Sequence, residues 1–246
     1  MRKIFAFTVI ELIVTVVVVV IAFLALMLLL RKARVHSSAN RISCVDKLKQ
    51  VGVAYRLWAG DNGDLVPPQQ SLSKGGWKEF LTNPDQGPIC WTNYTIMQNE
   101  LGQSPKVVLC PSDERTPAAD FGSNFDNTHL SYFVGVSANE VYPQSILGGD
   151  RNLGPGTKPD PDYGFSPNSG KGNDVAIPVS GPVSWSLKMH SAGNIAGGGN
   201  ILLGDGSGQQ MSSASFNRDW LRNAQGTNNW PAGRVPATPS IRLVFP

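Results

Sequence analysis

The chain has 246 residues, three cysteines and nearly balanced charge, with 21 Lys and Arg against 18 Asp and Glu for a net +3. The basic residues are scattered, which excludes the dense positive face of a nucleic-acid binder, so no nucleic-acid partner is expected. Its 26 glycines and 18 prolines stand well above the usual share of roughly 12 per cent, which points to a loop-rich, mostly β domain beyond the N-terminal segment.

The chain starts with a basic leader, Met1-Arg2-Lys3-Ile4-Phe5-Ala6, and then runs apolar over residues 7–30, interrupted only by Thr8, Glu11 and Thr15. At about 1.5 Å per helical residue this run crosses a hydrocarbon core of about 30 Å. A secretory signal has an apolar core of only about 7–15 residues followed by a small-residue cleavage site, and this run is too long for that. Glu11 is the exception within it. A charged side chain at bilayer depth costs about 2.5–3.5 kcal/mol on insertion scales, so this carboxylate is read as needing a cationic partner.

The order of basic leader, small residue, Phe7-Thr8, aliphatic pair, Glu11 and long apolar helix resembles the N-terminal signal of type IV prepilins and type II secretion pseudopilins. The resemblance implies cleavage by a prepilin peptidase between Ala6 and Phe7 and methylation of the new Phe7 amine. It also implies that Glu11 attracts the N-terminal amine of a neighbouring subunit during filament assembly. Ala6 stands where that family more often has Gly, and it is still small. Basic residues flank the run on both sides, Arg2 and Lys3 before it and Arg31, Lys32 and Arg34 after it, so charge alone does not orient it. The family resemblance implies an inner-membrane, single-pass protein with its N-terminus inside and its head in the periplasm or exterior. Its implied partners are prepilin peptidase, other pilin or pseudopilin subunits, the inner membrane and the assembly platform. The cluster Arg31, Lys32 and Arg34 suits anionic lipid headgroups.

Beyond residue 30 the pattern becomes amphipathic. Val35, Ala39, Ile42, Val45, Leu48, Val51, Tyr55 and Trp58 recur at steps of three and four, and no proline interrupts residues 7–60, so one helix of roughly 80 Å is predicted. Gly60-Asp61-Asn62-Gly63-Asp64 ends it, and Pro67-Pro68 prevents its resumption. Strand-like composition follows at residues 107–110, 130–137, 183–189, 200–204, 209–212 and 241–245, with Asp205-Gly206 as a hairpin turn. A short helix is expected over 215–224, and residues 148–182, dense in Gly, Pro, Asn and Asp, read as a long surface excursion. The expected fold is α+β and pilin-like: leader 1–6, transmembrane helix 7–30, its amphipathic continuation 31–60 packed on an antiparallel sheet, and a β-dominated head 61–246 with long loops. A weaker likeness covers the head. Cys44 with Leu48-Lys49-Gln50, Cys110-Pro111-Ser112-Asp113, and His190 followed by Asp205-Gly206 resemble a group of bacterial pilin-like proteins marked by a C-terminal His and Asp-Gly. Here 14 residues separate His190 from Asp205, more than that group usually has.

Cys44, Cys90 and Cys110 would face an oxidising compartment in this topology and can form one internal bridge. Pairing Cys44 with Cys110 staples helix to sheet; Cys90 with Cys110 and three reduced thiols are the alternatives. No Cys-x-x-Cys or His-rich spacing points to a metal. The resemblance to pseudopilins brings in calcium, with Asp160, Asp162 and Asp205 as candidate ligands and no EF-hand spacing among them. No resident cofactor is otherwise expected. His190, Ser191 and Asp205 can be drawn as a catalytic triad, but no Gly-x-Ser-x-Gly elbow accompanies them, and a non-enzymatic structural subunit is the expectation. The alternative is a membrane-tethered module binding glycan or DNA on exposed Trp77, Trp91, Tyr94 and Trp185.

Overall fold

The computed structural model describes residues 8–81, 90–138, 140–166, 177–179, 181–191, 197–221 and 241–246, with backbone alone at 28–38, 177–178 and 220–221. The chain divides into two compact units, Met1–Ala39 and Asn40–Pro246. Helix α1, Val9–Asp61, contributes residues to both.

In the first unit, Val9–Met27 is long and apolar enough to cross a membrane, with a mean hydropathy of 3.1. None of its side chains is buried within the chain itself. Lipid or other protein is therefore what can remove this surface from water.

The second unit is an α+β domain whose core begins on α1. Cys44, Leu48, Val51, Tyr55 and Trp58 are buried at helical spacing. The helix stops where Gly63 and Asp64 turn left-handed, at φ 71° and 59°, and the Asp64 amide bonds the Ala59 carbonyl at 2.9 Å. A 3-10 turn at Pro67–Gln69 follows, and after it a short helix α2, Cys90–Ile96.

The remaining strands are β1 Tyr132–Gly135, β2 Ile146–Asp150, β3 Leu153–Pro155, β4 Ile177–Val179, β5 Val183–Trp185, β6 Gly198–Leu203, β7 Gly208–Ser212 and β8 Ile241–Val244. Six form an antiparallel sheet in the order β4-β8-β1-β2-β6-β7, and β3 pairs with β5 apart from it. Both faces of the six-stranded sheet are covered. Tyr132, Val134, Leu147, Leu202 and Val244 join the cluster that includes the buried face of α1. Their alternates Phe133, Ile146, Ile201, Leu203, Leu243 and Phe245 pack with Trp185 and Phe216 in a second cluster. In β1, β6 and β8 the period-two alternation thus selects between two cores rather than between core and water, whereas the edge strand β7 buries only Met211.

Asp205-Gly206 forms the turn between β6 and β7, where the Asp205 carboxylate accepts from the Ser207 amide at 2.8 Å and Gly206 holds φ 81°. This turn lies on α1 at Gly52, so closely that a Cβ on Gly52 would stand 2.7 Å from the Gly206 carbonyl oxygen. Two glycines meet there because neither can carry a side chain.

Three expectations are corrected. Residues 107–110 are not a strand: Pro105–Val108 is a 3-10 turn, with Pro105 pre-setting its first dihedral and Lys47 donating to the Lys106 and Leu109 carbonyls at 2.7 and 2.8 Å. Residues 148–182 do not begin as a surface excursion, because Gly148, Gly149 and Asp150 complete the buried strand β2, and Arg151, Asn152 and Leu153 are buried after it. The glycines serve there as space for the Phe133 ring and the Asn200 carbonyl against Gly149. The late helix starts earlier, with Ser212 capping α3, Ser213–Ser215, and continues as a π-helical stretch, Phe216–Leu221. The remainder of the expected segment lies outside the described residues.

Candidate functional site

Two places gather the residues singled out by sequence, one at the start of α1 and one inside the head. At the first, Ala6 and Phe7 lie outside the described residues. Glu11 is described and exposed, and its Oε2 accepts from both the amide and the hydroxyl of Thr8, each at 2.9 Å. The Glu11 amide returns a 3.4 Å bond to the Thr8 hydroxyl. This reciprocal arrangement is a capping box, in which a Thr and the Glu three residues on satisfy otherwise orphaned helix amides. Read by charge alone, Glu11 gives no sign of that role; the Thr-x-x-Glu spacing is the sequence signal that does.

In the head, Cys44 of α1 and Cys110 are joined by a disulfide, with Cα atoms 5.1 Å apart and both side chains fully buried. Cys90 is the free thiol. It lies 3.6 Å from the Tyr132 and Val244 carbonyls, and burial pushes its pKa far above the usual thiol range, so it stays protonated and inert.

Beside the disulfide stands His190. Its Nε2 is 3.4 Å from Cys110 Sγ and 3.3 Å from Asp150 Oδ2, and its carbonyl accepts from the Arg41 guanidinium. Asp150 Oδ2 also accepts from the backbone and side-chain nitrogens of Asn200, at 2.7 and 2.8 Å. The histidine is thus held by Asp150 of β2 and Arg41 of α1, beside Cys110, rather than by the residues sequence reading drew around it. Ser191 is not among its partners, and Asp205 is spent on its own turn, so the His190, Ser191 and Asp205 triad does not form.

A second buried polar knot lies close by along the chain. Arg151 grips Asp113 with two bonds, Nε to Oδ2 at 2.8 Å and Nη2 to Oδ1 at 2.9 Å, and Ser131 donates to Oδ2 at 2.7 Å. The same hydroxyl accepts from the Cys110 amide at 2.9 Å, which ties the knot to the disulfide. Arg151 also lies 3.3 Å over the Tyr163 ring. Burial would raise the Asp113 pKa, but the bonds and charge of Arg151, the Ser131 hydroxyl and the charge of Arg115 outweigh it and hold the carboxyl below its ordinary value. Burial and the neighbouring Arg151 charge lower Arg115 to about 10, still charged at neutral pH.

The other candidates are scattered. Asp160 accepts from the Asp162 amide at 2.7 Å in an Asx turn, and Asp205 sits in the β6–β7 turn. Among the described residues these three carboxylates do not gather into a ligand group; the cluster that does is Cys44, Cys110 and His190, whose donor atoms all lie within 4.8 Å of one another. The aromatic platform does not form either. Trp77, Tyr94 and Trp185 are fully buried core residues and Trp91 packs partly buried against the same core, because each ring has apolar neighbours to cover it. Sequence reading missed Asp150 and Arg151, which lie in a Gly- and Asn-rich stretch that reads as loop, and took Asn200 only as the first residue of a strand, with no sign of its bonds to Asp150.

Set against known proteins, the chain matches no family model, no curated protein and no solved structure.

Proposed function

We propose that this chain is a pilin-like structural subunit of a type II secretion or type IV pilus-like filament. In this reading it is stored in the inner membrane by the N-terminal part of α1, with its head outside. A prepilin peptidase cuts between Ala6 and Phe7, the Phe7 amine is methylated, and the subunit is drawn into the filament through its apolar helix. The assembly platform and the other subunits are its partners. The observation that carries the reading is Val9–Met27, a wholly exposed apolar helix that begins with a carboxylate. The α+β head, with a sheet against the buried face of the same helix, is compatible with it. Asp113 with Arg151 and Ser131, and Asp150 with Asn200, are bonded to one another in the head, which supports a structural rather than a catalytic role in this reading.

The capping box supplies a discriminating test, because Gln at that position preserves a capping box while removing the charge. In the source cells, Glu11→Gln and Glu11→Ala are both expected to be processed to a methylated Phe7, seen by mass spectrometry of the mature N-terminus. Both are expected to be missing from sheared filaments. Wild-type incorporation of Glu11→Gln would remove the charge from the assembly mechanism. A mature protein still starting at Met1 would remove the whole reading.

A further inference from the structure

The buried surroundings of the Cys44–Cys110 bridge hold more chemistry than a cross-link requires. A disulfide needs no ligand, yet an imidazole nitrogen is aimed at Cys110 Sγ, and that nitrogen faces a carboxylate 3.3 Å away. All four side chains are buried. Among the described residues Asp150 Oδ1 has no hydrogen-bond partner, an expensive condition for a buried carboxylate oxygen. Two thiolates, one imidazole and one carboxylate are a donor set that tetrahedral zinc accepts.

The two distances from His190 agree with that geometry. Asp150 lies outside the trio of Cys44, Cys110 and His190, whose donor atoms lie within 4.8 Å of one another, and its carboxylate has to turn toward the sulfurs to complete the set. With Zn–S near 2.3 Å and Zn–N and Zn–O near 2.0–2.2 Å, the edges of a tetrahedron are about 3.6 Å from N to S and about 3.4 Å from N to O. The observed separations are 3.4 Å from His190 Nε2 to Cys110 Sγ and 3.3 Å from the same nitrogen to Asp150 Oδ2. Once reduced, the two sulfurs need only part to about 3.8 Å, the S-to-S edge of such a site, which side-chain rotation supplies. Asn200 already holds Asp150 Oδ2 with two bonds, the service that outer partners give to metal-ligating carboxylates.

We propose that the reduced form of this chain binds one Zn²⁺ through Cys44, Cys110, His190 and Asp150, and that the same two sulfurs exchange between a zinc dithiolate and the disulfide. A dithiol reductant delivers two electrons and two protons to the bridge and leaves as its own cyclic disulfide. Zinc then displaces both thiol protons to solvent. An oxidant of the disulfide class reverses the sequence, taking two electrons from the sulfurs and releasing the ion. Four protein donors closed from water make this a structural site rather than a catalytic one. The proposal does not depend on the filament reading, since it concerns only the head.

The test uses the full chain in detergent micelles, reduced with dithiothreitol, freed of it anaerobically and titrated with Co²⁺. One ion per chain is expected, with thiolate-to-cobalt charge transfer and the strong visible bands of a tetrahedral site, displaced by Zn²⁺. The oxidised chain is expected to show no such bands. Cys90→Ser should leave the spectrum intact. Asp150→Asn should alter the visible bands, and Asn200→Ala should weaken binding by roughly 10–100-fold with the bands retained. Absence of bands in a reduced chain that keeps its wild-type circular dichroism overturns the proposal. So does the same spectrum from the oxidised chain, or one lost with Cys90.

Discussion

Asp113 shows how one buried carboxylate is kept ionised. Removing its charge alone, as in Asp113→Asn, leaves Arg151 buried and uncompensated, and a loss of about 3–5 kcal/mol is expected by chemical denaturation. The same pair sets an acid dependence. Because the folded-state pKa of Asp113 is depressed, its contribution is complete above the unfolded carboxylate value near pH 4 and is lost as pH falls through the lower folded value. Unfolding curves from pH 5 to pH 2 are therefore expected to fall more steeply for the wild type than for Asp113→Asn. Equal slopes would place the acid-sensitive group elsewhere. Nothing in the sequence around Asp113 announces Arg151, which lies 38 positions away and follows two glycines that read as loop.

Among elements, the contact between α1 and the β6–β7 turn has the least room. Gly206→Ala forces a side chain onto a left-handed backbone, at about 1–2 kcal/mol. Gly52→Ala drives a methyl into the Gly206 carbonyl, and about 1–3 kcal/mol is expected for that overpacking. The double variant should cost less than the sum if helix and turn move apart together, which thermal melts of the three proteins resolve. The Asp-Gly turn itself was legible, because its backbone demand is local. Its docking on Gly52 was not, since a glycine within a helical stripe carries no mark of what approaches it. The strands β1, β6, β7 and β8 and the Leu48, Val51, Tyr55 and Trp58 part of the α1 stripe were readable for the same local reason, whereas Ala39 and Ile42, expected on the same stripe, are exposed. Strand β2 was hidden because its glycines make room for large neighbours on other strands. The 3-10 turn at Pro105–Val108 was hidden because short apolar runs suit either conformation.

Over the whole molecule, sequence reading could locate the apolar helix and offer candidate cysteine pairings, but it could not see that His190 and Asp150 converge on the bridge, because that site is assembled from α1, β2 and two connecting segments. The bridge closes a loop with a sequence separation of 66, worth about 4 kcal/mol in the chain-entropy estimate. Cys44→Ser with Cys110→Ser is expected to lower stability by about 2–4 kcal/mol, measured by denaturant titration, with the native circular dichroism retained.

The same bridge also determines how the head bears load. A pull applied through α1 reaches Cys44 and passes by covalent bonds to Cys110, so everything between those positions is shielded from the tension. In single-molecule stretching of the oxidised chain, roughly 220 Å of contour should remain locked after the rest of the head has given way, and should be released only when the bridge is reduced. Packing alone would let the helix peel away turn by turn; with the bridge in place, the helix and the connecting segment at Cys110 act as a single tensile member.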